Sequence, residues 1–240
     1  MKLQNKVAII TGVSSDGQVG QAVAQALATE GAKLVLVARN PEKVRARAEE
    51  VKALGAEVLA VPADLTQEEE VNHVVKQVLD KFGRIDILVN LSGGLTRYKA
   101  ATEHTVEDWN AEVNNNLLTA FLCSKAVFDQ MKQQGGGNII NFARAGQPQA
   151  NMVAYNCAKA GVVALTRTFA VEGRKLNIRV NAVAPGLVDT KSNVDSMKPK
   201  PEDLAKWVKR EEIANTVVFL ASDEASGITG QTIDVPGKML

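Results

Sequence analysis

Short apolar runs alternate with longer amphipathic stretches along the whole chain. The runs are VAII (7–10), KLVLVA (33–38), EVLAVP (57–62), IDILVN (85–90), NIINFA (138–143), IRVNAVA (178–184) and QTIDV (231–235). Segments that are apolar at nearly every position are typical of strands buried on both faces, as in a parallel sheet covered by helices. The pattern therefore predicts a doubly wound α/β fold with a seven-stranded parallel sheet and helices on both faces.

The stretches between these runs have helical periodicity. The two longest helical patterns lie on either side of the fifth strand, at about 106–131 and 153–174. Because no internal repeat or Gly/Ser/Pro-rich linker divides the sequence, we expect a single domain over 1–240. The least regular stretch, at about 186–206, predicts a mobile loop beside a binding site, and a surface loop without function is the alternative.

Composition narrows the classes of partner. The 240 residues are 45% hydrophobic and 23% charged, with a formal net charge of +1. This balance gives no overall field for nucleic acid or an anionic membrane surface, so we expect small-molecule partners. The sequence has no apolar run of about 18 residues and no signal-peptide pattern, which favours a cytoplasmic protein that does not enter the membrane.

The cysteines and histidines do not indicate a metal centre. Cys123 and Cys157 lie in helix-like segments, where a free thiol behaves as a small hydrophobe. His73 and His104 have no cysteine or histidine neighbours at ligand spacing. We therefore expect no disulfide bond and no bound metal.

A glycine-rich turn follows the first strand and leads into a helix. Its candidate binding residues are Gly12, Ser14, Ser15, Gly17 and Gly20. Such a turn lets backbone N–H groups and a helix N-terminus approach a pyrophosphate. The alternative is a tight strand-to-helix turn that needs glycine for its backbone alone.

Tyr155 and Lys159 are four residues apart and share one helix face. A protonated lysine near a phenol favours the phenolate, so we expect the pKa of Tyr155 to fall toward neutrality. The phenol could then exchange a proton with a carbonyl or an alcohol. The alternative is a surface pair without function.

The motifs, in this order, resemble those of the short-chain dehydrogenase/reductase family. Within that family, the chain is similar to the single-domain 3-oxoacyl-(acyl-carrier-protein) reductases. The resemblance covers the whole chain and implies a Rossmann fold that transfers a hydride between a nicotinamide cofactor and a carbonyl or secondary alcohol. It also implies that Lys159 holds the nicotinamide ribose. The glycine turn departs from the family pattern by two extra residues, with Gly17 or Gln18 in the middle position.

The end of the second strand bears on the choice of cofactor. An enzyme that prefers NAD carries Asp or Glu here for the ribose hydroxyls. This chain has Ala38, Arg39 and Asn40 instead. An arginine can pair with a 2′-phosphate, so we expect NADP(H) rather than NAD(H). A solvated surface arginine is the alternative.

Further matches to the family imply other contacts with the cofactor. They are Asp64 and Leu65, Asn90 and Gly93, and Pro185, Gly186, Val188 and Thr190. By resemblance, Asp64 contacts adenine, and the segment from Pro185 to Thr190 holds the nicotinamide carboxamide. A helix cap is the alternative for Asp64. The segment after the fourth strand departs from the family's Asn-Asn-Ala-Gly at Leu91 and Ser92.

Two more catalytic positions follow from the resemblance. Asn116 best matches the asparagine that supports a proton relay, with Asn114 and Asn115 as close rivals. The family serine at the end of the fifth strand is missing, since Ala143 and Arg144 stand there.

No Ser or Thr occurs from Lys125 to Leu165. Arg144, Gln147 or Asn151 could replace the serine as donor to a substrate carbonyl. Alternatively, the site is broken and the chain is a nucleotide-binding protein that acts by binding or assembly.

The resemblance also implies a homotetramer or homodimer built on the long helices and the C-terminal segment. That segment reads Asp234-Val235-Pro236-Gly237 where the family usually has Val-Asp-Gly-Gly.

Overall fold

The computed structural model describes residues 1–238 and confirms the predicted doubly wound α/β fold. Seven parallel strands form one sheet in the order β3-β2-β1-β4-β5-β6-β7. The strands are β1 (Val7–Thr11), β2 (Lys33–Ala38), β3 (Val58–Pro62), β4 (Ile87–Asn90), β5 (Gly137–Phe142), β6 (Ile178–Pro185) and β7 (Thr232–Val235). Each strand lies within two residues of its predicted range. Residues 239–240 of the predicted domain lie outside the described residues.

Helices cover both faces of this sheet. They are α1 (Val19–Thr29), α2 (Pro41–Ala53), α3 (Glu68–Phe82), α4 (Val106–Val113), α5 (Thr119–Gln133), α6 (Val153–Gly173), α7 (Lys191–Met197), α8 (Pro201–Leu204) and α9 (Arg210–Ala221). Val23, Leu27 and Val217 fill the core under α1 and α9. Val74 and Val127 fill the core under α3 and α5. Of the helices within residues 1–238, none is long and apolar enough to span a membrane.

The helix predicted at 106–131 is interrupted in the structure. A π-helical turn, Asn114–Leu118, separates α4 from α5, which continues to Gln133. Asparagine side chains compete for backbone hydrogen bonds, and here the Asn116 amide binds Gly94 and Glu112. π-helical turns of this kind often lie at functional sites.

The predicted loop at 186–206 is more regular than its sequence indicates. It contains α7 and α8, and Val188 forms an isolated parallel bridge with Val208. Its mobility stays a prediction.

The strand order reverses between β1 and β4, which places a crevice at the carboxyl ends of these strands. Ligands of doubly wound sheets bind at this position. Thr11 closes the base of the crevice, because its Oγ1 accepts hydrogen bonds from the backbone N–H groups of Leu91 (3.0 Å) and Ser92 (2.9 Å). The ends of β1 and β4 are thereby held together.

Candidate active site

The glycine turn at the end of β1 is packed closely against the loop after β4. Gly12 has a φ of +76°, and a Cβ there would lie 2.9 Å from the carbonyl carbon of Leu91. A Cβ on Gly20 would lie 3.0 Å from the carbonyl oxygen of Gly12. Gly12 therefore requires glycine, and a side chain at Gly20 would have to push the backbone of Gly12 aside.

The extra residues of this turn fold against α7. The N–H of Gly17 donates to Oε1 of Gln21 (2.8 Å), and its carbonyl accepts from the N–H of Lys191 (2.9 Å). Ser14 and Ser15 are half-buried between these anchors. Gln18 gives no side-chain cap to the start of α1. An uncapped helix start behind a glycine turn suits the oxygens of a pyrophosphate.

The end of β2 presents a free cation. Arg39 is exposed and takes part in none of the ion pairs formed within residues 1–238. The neighbouring Asn40 caps α2, since its Oδ1 accepts from the N–H of Lys43 (2.9 Å). With no carboxylate at Ala38–Asn40, this corner suits a phosphate group better than it suits ribose hydroxyls alone.

Asp64 shapes the turn after β3. Its carboxylate accepts from the N–H (3.0 Å) and Oγ1 (2.8 Å) of Thr66, which is an Asx turn. The alternative interpretation as a helix cap is wrong, because α3 begins at Glu68 and the residue before it is Gln67. Leu65 is buried in the core, so its side chain supports this turn from below.

The side chain of Asn90 points into the fold and not into the crevice. Its Nδ2 donates to Oδ1 of Asn141 (2.8 Å) and to Oγ of Ser124 (3.1 Å). Asn141 in turn donates to Oγ1 of Thr166 (2.9 Å) on α6. Asn90 therefore ties β4 to β5 and α5, and its contact with a cofactor stays a prediction.

Asn116 is the asparagine of the Asn114–Asn116 run that meets the loop after β4. It is buried, whereas Asn114 is exposed. Its Oδ1 accepts from the N–H of Gly94 (2.9 Å), and its Nδ2 donates to the Gly94 carbonyl (3.1 Å). A Cβ on Gly93 would lie 2.6 Å from Oδ1 of Asn116, so this predicted glycine is needed for the contact.

Tyr155 and Lys159 lie in the first two turns of α6, beside the end of β5. Lys159 is buried, and its Nζ donates to the carbonyl of Phe142 (2.9 Å). The same Nζ lies 5.7 Å from the centroid of the Tyr155 ring. The structure therefore brings the predicted pair together at the carboxyl edge of the sheet.

The electrostatics of this pair differ from the sequence prediction. Burial lowers the pKa of Lys159 to about 8. Burial also raises the pKa of Tyr155, and the positive charge of Arg144 opposes this only in part. The prediction that the pKa of Tyr155 falls toward neutrality is wrong for this arrangement, because desolvation of the phenolate outweighs the nearby positive charge.

Arg144 follows β5 at the position of the missing serine. Its Nη1 donates to the carbonyl of Gln147 (2.7 Å), and it forms no ion pair within residues 1–238. The Gln147 side chain is exposed. The carbonyl of Asn151 accepts from the N–H of Lys99 (3.0 Å). Arg144 is the charged residue of the three candidate substitutes, and its positive charge opposes the rise in the pKa of Tyr155 that burial causes.

The segment after β6 forms a turn against β7. The N–H of Gly186 donates to the Val235 carbonyl (2.9 Å), and a Cβ on Gly186 would lie 2.6 Å from the carbonyl oxygen of Pro236. Thr190 caps α7 and Val188 is buried. The predicted segment Pro185–Thr190 thus runs from the end of β6 to the start of α7 at the carboxyl edge of the sheet.

Two residues at this edge were missed by the sequence prediction. Thr11 links β1 to the loop after β4, and its position directly before Gly12 is the signal that could have found it. Glu112 is completely buried on α4, one helical turn before Asn116. A carboxylate at that spacing from Asn116 was the available signal.

Other site chemistries have little support. Within residues 1–238, no group of three or more His, Cys, Asp or Glu side chains is placed to hold a metal ion. Cys123 is buried, Cys157 is exposed, and both are free thiols.

The geometry defines a class: a dinucleotide-binding fold with a Tyr–Lys pair at the carboxyl edge of its sheet, in which the lysine is buried and the tyrosine half-buried. A family model described as enoyl-(acyl carrier protein) reductase matches residues 12–237. The chain therefore belongs to the short-chain dehydrogenase/reductase family, as the sequence resemblance predicted.

Relatives with known names agree with this assignment. A 3-oxoacyl-(acyl-carrier-protein) reductase from Synechocystis is 41% identical over 249 residues, covering 99% of this chain and 98% of that protein. A hydroxy(phenyl)methylsuccinyl-CoA dehydrogenase subunit from Thauera aromatica is 40% identical over 245 residues, covering 99% and 97%.

Among solved structures, NAD+-bound xylitol dehydrogenase has a TM-score of 0.92 at 30% identity, covering 99% of this chain and 100% of that chain. A 7α-hydroxysteroid dehydrogenase in complex with NADH and a 7-oxo bile acid has a TM-score of 0.89 at 31% identity, covering 98% and 94%. The relatives indicate an oxidoreductase that uses a nicotinamide cofactor and a small carbonyl or alcohol substrate.

Proposed function

We propose that the protein transfers a hydride between NADP(H) and a carbonyl or secondary alcohol substrate. The observation that carries this proposal is the pair of half-buried Tyr155 and buried Lys159, held near Arg144 at the carboxyl edge of the sheet. The names of the Synechocystis reductase and the Thauera dehydrogenase subunit favour an acyl thioester substrate.

Tyr155 is the proposed acid/base. Because burial raises its pKa, the phenol keeps its proton near neutral pH and donates it to a carbonyl oxygen during reduction. Lys159, fixed by the Phe142 carbonyl, holds the nicotinamide ribose, and Asn116 supports the return of protons. A bound nicotinamide supplies or accepts the hydride at its C4.

Arg144 is proposed to replace the family serine. Among the described residues 1–238, the Gln147 carbonyl engages only one of its hydrogen-bond donors, so others can point at a substrate oxygen. A charged donor suits the oxyanion that develops during carbonyl reduction. It also favours substrates that are anionic or strongly polarised.

NADP(H) is preferred over NAD(H) in this proposal because Arg39, at the end of β2, is exposed and has no ion-pair partner in the part of the chain that the structure describes. The turn of Gly12, Ser14, Ser15, Gly17 and Gly20 would hold the pyrophosphate. Asp64 would contact the adenine and the Pro185–Thr190 turn the carboxamide.

A second candidate function is binding without efficient turnover. The absence of any Ser or Thr from Lys125 to Leu165 favours it, since the family's carbonyl donor cannot be restored by a shift in register. Such a protein would bind nucleotide and act through assembly.

Assembly as a homotetramer or homodimer in the cytoplasm is also proposed. Phe121 on α5 and Val171 on α6 are 39% and 69% exposed, which favours a partner on these long helices. Native mass spectrometry measures the number of subunits directly.

The first experiment is calorimetric titration of the nucleotide-free protein with NADPH and with NADH. We expect NADPH to bind the more tightly, followed by turnover of 3-oxoacyl thioesters with NADPH. Tighter binding of NADH would contradict the role of Arg39. Tight binding without turnover of any thioester would favour the second candidate, and no binding would contradict both.

A further inference from the structure

Glu112 carries a carboxylate into the interior beside the candidate active site. It lies near the end of α4, which packs against α6, and its side chain has no exposed surface. A buried carboxylate is costly unless hydrogen bonds and a compensating charge stabilise it. The surroundings of Glu112 therefore need to supply both.

The hydrogen bonds of Glu112 come from two sides. Its Oε1 accepts from the N–H (2.5 Å) and Oγ1 (2.7 Å) of Thr96 and from the N–H of Arg97 (2.7 Å). Its Oε2 accepts from Nδ2 of Asn116 (3.1 Å). Three of these four partners are N–H groups, which can only donate, so they suit a carboxylate that accepts. Glu112 thereby ties the loop at 94–97 to the asparagine of the π-helical turn.

The compensating charge does not come from the same loop. Arg97 and Lys99 both pair with Asp108 instead. Among the ion pairs of residues 1–238, none includes Glu112 or Lys159. Two buried groups of opposite charge thus lie on packed helices, and neither has a direct ionic partner among the described residues.

We propose that Glu112 is a positioning residue that fixes the loop at 94–97 and Asn116 against the catalytic helix and supplies the negative charge that balances buried Lys159. The charge that acts on this lysine is that of Glu112, from the packed helix α4, and the charges that act on Tyr155 are those of Glu112 and of Arg144, from the segment after β5. Burial lowers the pKa of Lys159 and raises that of Tyr155, and the negative charge of Glu112 opposes the first shift and adds to the second.

The direct test is an NMR pH titration of the nucleotide-free protein with 13C-labelled lysine side chains, which measures the protonation of Lys159. The Lys159 signal is assigned with Lys159→Met. In Glu112→Gln, which keeps the size of the side chain, we expect the titration midpoint of Lys159 to fall by about one pH unit. An unchanged midpoint in folded Glu112→Gln overturns the proposal.

Two matched variants separate charge from structure. Glu107→Gln removes an exposed carboxylate from the same helix, and Thr96→Val removes one donor to Glu112 without removing its charge. Neither is expected to move the Lys159 midpoint. A shift in Glu107→Gln equal to that in Glu112→Gln overturns the proposal, because the effect is then not specific to Glu112.

A double variant covers the case in which Glu112→Gln does not fold. Glu112→Gln/Lys159→Met removes both buried charges, so we expect it to resist urea better than Glu112→Gln alone. If the double variant is no more stable than the single one, Glu112 only holds the loop at 94–97 in place, and the proposed coupling to Lys159 is overturned.

The kinetic consequence rests on the proposed function. If turnover is found, the pH profile of kcat/KM of Glu112→Gln should move to lower pH. A purely structural defect would lower kcat/KM at every pH without moving the profile. The NMR titration needs no substrate, so it decides the role of Glu112 even if the proposed hydride transfer fails.

Discussion

Lys159 donates a hydrogen bond of 2.9 Å to the main-chain carbonyl of Phe142, the last residue of β5. This bond joins α6 to a central strand of the sheet and holds Nζ 5.7 Å from the ring of Tyr155. Since both partners belong to regular elements, the pair is positioned before any ligand binds.

Replacing Tyr155 by Phe should abolish turnover while leaving NADPH binding close to that of the wild type. The change removes the proton donor but keeps the ring that packs against Lys159. Steady-state kinetics and calorimetry measure the two effects. Tyr98→Phe, at an exposed tyrosine, is the matched control. Unchanged turnover in Tyr155→Phe would contradict the assignment of the acid.

Burial of Lys159 makes stability depend on pH in a defined direction. Its pKa is about 8 in the folded protein, against an ordinary value of 10.5. Between these values the unfolded chain binds more protons, so the contribution of this group to the free energy of unfolding rises with pH.

Urea unfolding of the wild type and Lys159→Met from pH 7 to 10 tests this dependence. The stability of the wild type relative to Lys159→Met should increase over this window, by on the order of 3 kcal/mol at most. A difference that stays flat or decreases with pH would show that the lysine is not desolvated as described.

Arg39→Ala should weaken NADPH binding by roughly 10- to 100-fold, because it removes a charge-assisted pair with the 2′-phosphate. NADH lacks this phosphate, so its dissociation constant should not change. Arg45→Ala, at an exposed arginine of α2, provides the control. Equal losses for both nucleotides would assign Arg39 another role.

Arg144→Ala should lower kcat by about 100- to 1,000-fold if the guanidinium stabilises the developing oxyanion. Ala143→Ser/Arg144→Ser restores the family residues and separates the two candidate functions. A fall in activity in this double variant supports Arg144 as the donor. A rise would mean that the native site is broken and that the arginine takes no part.

Gly93→Ala should destabilise the protein more than Gly94→Ala does. Both glycines have a positive φ, +133° and +151°, so both substitutions are strained. The added methyl group meets Oδ1 of Asn116 at 2.6 Å only at Gly93, and a Cβ on Gly94 has nothing within 4 Å. Thermal unfolding compares the two, and equal midpoints would exclude the close contact with Asn116.

The fold was predictable because its strands are buried on both faces and therefore apolar along their length. Tyr155 and Lys159 were predictable because they share one helix. In contrast, the inward orientation of Asn90 depends on Asn141, 51 residues away, and the buried state of Glu112 depends on Thr96 and Arg97. Local spacing contains no information on such partners.

The pKa of Tyr155 was mispredicted for a related reason. The sequence shows which charges are near the phenol along one helix, but it does not show how far the phenol is removed from water. By contrast, the absence of the family serine at Arg144 was visible in the sequence, because residue identity alone shows that no hydroxyl side chain stands there.

At the π-helical turn, Asn114–Leu118, the number of residues matters more than their identity. Each residue of a helix advances it by about 100°, so deleting one asparagine would rotate α4 relative to α5. Glu112 would then leave the side of α4 that faces Thr96 and Arg97. Exposed Asn114 can accept many substitutions, whereas the number of residues between Glu112 and Thr119 cannot change without separating the two halves of the site.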